Sequence, residues 1–110
     1  MITEKEFKVP IYKVELQIFV YDDIIDDSKE FPELKDCYGF VKVFDEENCI
    51  HLVIPNNNMP VVIHELEHIK NSIWKLIQHT PNIEEDEPDA YLIEYLYECA
   101  EQAIEKHKKP

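Results

Sequence analysis

A chain of 110 residues with 24 acidic and 11 basic side chains carries a formal net charge of −13 at pH 7. That length fits a single domain, residues 1–110, around one modest core, and that charge argues against recognition of nucleic-acid phosphates. A 45% apolar content is enough to fold, and the single glycine, Gly39, argues against a loop-rich or low-complexity protein.

In chain order, residues 1–10 mix charges with isolated apolar residues and lack the apolar run of a secretory signal. Tyr12, Val14, Leu16, Ile18 and Val20 then alternate with Lys13, Glu15, Gln17 and Phe19, the pattern of a half-buried strand. The polar members also keep this stretch from spanning a bilayer. The expectation is a cytoplasmic protein with no membrane partner. Cys37, Cys49 and Cys99, an odd and scattered set, suit reduced thiols. Asp27 or Ser28 can cap a short helix through Leu34, limited by Pro32. Phe40 to Phe44 and Cys49 to Ile54 flank Asp45-Glu46-Glu47-Asn48, which reads as a β-hairpin. Within it, Cys49 and His51 are read as packing residues rather than metal ligands.

Asn56-Asn57-Asn58 followed by Pro60 signals a helix start, and Val62, Leu66, Ile69, Ile73 and Leu76 recur at helical steps until Thr80-Pro81-Asn82. A second helix begins near Pro88, with apolar positions at Ala90, Ile93, Leu96, Ala100, Ala103 and Ile104 and a cationic end at Lys106 to Lys109. The fold class expected from this order is α+β, a small antiparallel sheet packed on two long helices.

The first of these helices carries His64-Glu65-Leu66-Glu67-His68, an H-E-x-x-H sequence. Residues i and i+4 of a helix share a face, so two imidazoles can bind one tetrahedral zinc ion. The adjacent Glu65 can then take a proton from an attacking water. Composition alone predicts roughly 0.03 chance matches to this motif in such a chain, so context decides. His64 and His68 lie off the apolar stripe, as ligands should. A third ligand is sought in the acids opening the next helix, Glu84 to Asp89. Those acids also suit the positive end of that helix without any metal. Tyr91 and Tyr95 are candidate donors to a developing oxyanion, although packing explains them as well. His79 and His107 read as surface residues.

The segments Val62-Ile63-His64-Glu65-Leu66-Glu67-His68 and Glu87-Pro88-Asp89-Ala90-Tyr91-Leu92-Ile93-Glu94-Tyr95-Leu96 resemble small zincin-like metallopeptidases of phages and bacterial mobile elements. The resemblance implies a minimal zincin-like domain in which His64, His68 and Glu87 hold zinc in the gluzincin manner and Glu65 is the catalytic base. It also implies that the strand before the metal helix, Cys49 to Ile54, holds an extended peptide or protein substrate by backbone pairing. Pro88-Asp89 replaces the smaller residues of that family, which leaves Asp86 or Asp89 open as the third ligand. The same acidity supports a second expectation of another class: a non-catalytic binding or decoy protein with a structural or vestigial metal site.

Overall fold

The computed structural model describes residues 2–22, 30–35 and 37–109. Its strands are β1 (Ile2–Val9), β2 (Val14–Tyr21), β3 (Phe40–Phe44) and β4 (Cys49–Pro55), and its helices are α1 (Met59–Leu76) and α2 (Glu87–Lys108). The four strands form one sheet in the order β1-β2-β4-β3. The fold is α+β, with both helices packed on one face of that sheet. The cap proposed at Asp27 or Ser28 lies outside the described residues. What is described nearby is a 3-10 turn, Pro32–Lys35.

The sheet is mixed rather than antiparallel. β1 and β2 form one antiparallel hairpin, β3 and β4 another, and the two join through a parallel pairing of β2 with β4, Leu16 opposite Ile50 and Val20 opposite Ile54. Chain order suggests hairpins well, but it says nothing of which strands meet when hairpins associate. The first turn is tight, with Ile11 and Lys13 at positive φ. The inward positions of β1 are Thr3, Lys5, Phe7 and Val9, only two of them apolar, so its sequence shows no clear strand period. A charged, polar edge strand of this kind resists pairing with other chains.

Val14, Leu16, Ile18 and Val20 of β2 and Ile50, Leu52 and Ile54 of β4 point to the helices. They meet Val62, Leu66, Ile69, Ile73 and Trp74 of α1 and Leu92, Leu96, Ala100, Ala103 and Ile104 of α2. α1 crosses β4 and β3, while α2 lies over β1 and β2. The opposite face of the sheet carries a smaller cluster, Tyr21 and Val53 covered by Leu34, with Phe19, Phe31 and Phe40 around it. No helix among the described residues is long and apolar enough to cross a membrane.

Candidate metal centre

The start of α1 is set by its cap. The Asn58 side chain accepts the Val61 N–H at 3.3 Å, and Pro60 occupies the first turn, where its missing N–H costs nothing. The rotation of α1 is set by burial of Val62, Leu66, Ile69 and Ile73. At about 100° per residue, His64 and His68 then face outward, and Glu65 falls at the margin of the core beside β3. The histidine side of the helix is polar because the apolar stripe has claimed the other.

His64 Nε2 and His68 Nε2 stand 3.2 Å apart. Two nitrogens each about 2.0–2.1 Å from one tetrahedral zinc ion would be separated by about 3.3–3.4 Å, so the pair already has the spacing of two ligands. The Glu65 carboxylate is 3.9 Å from His64 Nε2. Ligand atoms of His64, Glu65 and His68 all lie within 4.8 Å of one another, and they form the only such group of three among the described residues. The His64 side chain is 68% exposed, whereas that of Glu65 is 10% exposed. The rings are therefore open to solvent while the carboxylate is held by packing.

Gly39 explains how Glu65 is held. A Cβ added at Gly39 would stand 3.0 Å from Val61 Cγ1, 3.1 Å from the Val53 carbonyl oxygen and 3.3 Å from Glu65 Cγ. The lone glycine of the chain lets the segment entering β3 pass directly under the site. Beside it, Tyr38 is exposed, and its carbonyl oxygen accepts a hydrogen bond from the Tyr21 hydroxyl. Tyr38, Gly39, Val61, His64 and Glu65 line a shallow cleft of about 410 Å³. Sequence reasoning did not single out Tyr38. The only signal was its place next to the one glycine, just before a strand.

The expected third ligand is not brought to this group. Glu87 opens α2 and is exposed, as is Asp86. Asp89 is engaged elsewhere: its carboxylate accepts hydrogen bonds from Lys70 Nζ and Trp74 Nε1, both at 2.6 Å. Lys70 lies six residues beyond His64, about 9 Å along the axis and roughly 120° around it. This pins the first turn of α2 to a different side of α1. Burial opposes the charge on both Asp89 and Lys70, but their mutual hydrogen bond, with Trp74 and Glu67 contributing, outweighs it. The Asp89 pKa is lowered and the Lys70 pKa raised.

The remaining expectations divide: His51 packs within the sheet and His79 lies at the surface as expected, whereas the substrate strand, the place of Tyr95 and the exposure of His107 are corrected. β4 cannot take a substrate strand, because it is central and paired on both sides with β2 and β3. The sheet edge beside α1 is β3. His51 lies on the face away from the helices, against Phe19 and Phe44. Tyr95 does not face the histidines. Its hydroxyl donates to the Lys8 carbonyl at 3.3 Å on β1, and burial pushes its pKa up to about 12. Tyr91 is exposed. His79 is exposed beside Trp74, but His107 is buried.

Comparison of this chain with protein-family models, with curated proteins and with solved structures finds no match.

Proposed function

We propose that this chain is a zinc-dependent metallopeptidase or related amide hydrolase, in keeping with its resemblance to the small zincin-like proteins. The observation that carries the reading is the convergence of His64, Glu65 and His68 on one exposed turn, with the two imidazole nitrogens at ligand spacing. Two imidazole ligands suit zinc better than the harder cations. Bound there, zinc would supply Lewis acidity toward a substrate carbonyl and lower the pKa of a nearby water.

The residues of the chain divide the remaining work. His64 and His68 hold the ion through Nε2. Glu65, kept in place by Gly39 and Val61, receives the proton of the water that attacks the scissile carbonyl and passes it to the departing amine. The free edge of β3 offers backbone groups to an extended peptide, which gives affinity with little demand on its sequence. Tyr38, which lines the cleft, takes the role of donor to the developing oxyanion in this reading in place of Tyr91 or Tyr95. Glu87 serves as third ligand only if the first turn of α2 leaves its place beside Lys70 and Trp74. A cytoplasmic setting belongs to the same reading and is in keeping with Cys49 and Cys99, which form no disulfide.

The test is the zinc content of untagged protein purified without chelator, measured by elemental mass spectrometry. About one zinc per chain supports the metal site. Protein that contains none and acquires none on adding zinc sinks the reading. The shallow cleft and exposed histidines favour a second reading, a non-catalytic acidic binding protein. It predicts a protein partner and no metal-dependent turnover.

A further inference from the structure

A second surface lies on the other flank of α1. Ile63 and Leu66 of α1 face Ile93 and Tyr97 of α2 across a groove of about 430 Å³, rimmed by Glu94, Glu98 and Glu101. Ile63 is 54% exposed and Tyr97 38% exposed. None of the three glutamates forms an ion pair among the described residues. The groove thus combines an apolar floor with a glutamate rim, of which Glu98 and Glu101 also border a neighbouring hollow lined by Lys5, Lys106 and Lys109 and Glu94 does not.

We propose that this groove is a docking site for a basic amphipathic helix of a partner protein. The backbone argues for a helix. Both walls are helices whose N–H and C=O groups are already paired along their own axes, so the groove offers no strand edge. An extended peptide laid on it would leave its backbone groups facing an apolar floor, whereas a helix brings its own hydrogen bonds and presents an apolar stripe to the groove. The charge argues for a basic partner. Lysines or arginines flanking such a stripe would meet Glu94, Glu98 and Glu101, and the net charge of −13 would steer the encounter. The same charge repels an anionic lipid surface, which leaves a protein segment as the occupant. The site does not rest on the metallopeptidase reading, since none of its residues is a metal ligand in that scheme.

The experiment titrates the full chain, in chelator, into a fluorescently labelled synthetic Leu/Lys peptide about five helical turns long, with leucines at helical spacing. A scrambled peptide of the same composition is the control. The expected result is saturable one-to-one binding of the patterned peptide, weakened about tenfold or more by Ile63→Asp. Charge reversal at Glu94 and Glu101 should weaken binding more than equal reversal at Glu84 and Glu85 in the preceding loop. Equal binding of the scrambled peptide, or binding unchanged by Ile63→Asp, overturns the proposal. Hydrogen exchange of the wild-type chain with the patterned peptide gives a readout free of any folding defect. Added protection in residues 63–66 and 93–101 supports the groove, and protection confined to other elements overturns it.

Discussion

Two histidine clusters in this molecule are built in opposite ways. His107, in the last turn of α2, is buried with its side chain 2% exposed, and both of its ring nitrogens are occupied: Nδ1 meets Thr3 Oγ1 at 2.7 Å and Nε2 meets Asp22 Oδ1. His64 and His68 face solvent, and their Nε2 atoms point at each other with Glu65 alongside. A histidine used to tie a fold together has its hydrogen bonds met by the protein. The exposed pair instead has its two Nε2 atoms against each other, within hydrogen-bond distance, and among the described residues no hydrogen bond from a buried partner holds either ring. The contrast is between a buried tie and an exposed pair, and it can be broken residue by residue.

The largest effect is expected at the open cluster. Glu65→Gln should retain the metal and lower hydrolysis by about two to four orders of magnitude, the usual contribution of a general base. Undiminished turnover in that variant would remove Glu65 from the role. His64→Ala or His68→Ala should abolish zinc retention while leaving the melting temperature of metal-free protein nearly unchanged, because exposed side chains contribute little to folding. His107→Ala should do the reverse. It should cost about 2–3 kcal/mol of stability in denaturant titration, from a buried void and an unpaired Thr3, with zinc content unaffected. If His64→Ala destabilises as much as His107→Ala, the two clusters do not differ in kind.

Smaller effects sharpen the boundary. Lys70→Met should cost about 2 kcal/mol by leaving Asp89 with its Trp74 bond but no cation, since hydrogen bonds to charged groups are worth somewhat more than neutral ones. The same variant frees the first turn of α2. A rise in zinc affinity in it, lost again on Glu87→Ala, would identify Glu87 as a ligand that the Lys70 clamp holds back. Gly39→Ala should cost about 1 kcal/mol, because Val61 and Glu65 must give way. It should also lower turnover more than stability if Glu65 is the base.

The smallest effect is in the pH dependence. The hydrogen bond from His107 lowers the pKa of Asp22, partly opposed by burial. A carboxylate with a lowered folded-state pKa adds stability above its unfolded value of 3.8, and that contribution fades as pH falls through the folded value. The acid limb of unfolding should therefore be shallower in His107→Ala. Because Asp22 is 44% exposed, solvent screening keeps the difference small.

The parts of the fold governed by local pattern could be read directly. The β3–β4 hairpin, the Asn58 cap of α1 and the position of α2 followed from turn residues, capping and period. What could not be read depended on distant partners. The parallel β2–β4 pairing, the polar edge strand β1 and the burial of His107 each need residues from far along the chain. The candidate site divides in the same manner. His64, Glu65 and His68 share one helical turn, so spacing alone brings them together. Glu87 needed the rotation of one helix against another, which Lys70, Trp74 and Asp89 decide.

The tethers between α2 and β1 also bear on how the domain is assembled. His107 meets Thr3, Lys106 Nζ donates to the Glu4 carbonyl at 2.8 Å, and Tyr95 reaches Lys8, pairs separated by 104, 102 and 87 positions. Contacts of such sequence separation close large loops and form late. During synthesis β1 emerges first and waits for nearly the whole domain before its helix arrives. In the interval the β1–β2 hairpin would have only its own pairing and a half-uncovered face. The lysines and glutamates spaced along β1 disfavour pairing of such a hairpin with a strand of another chain.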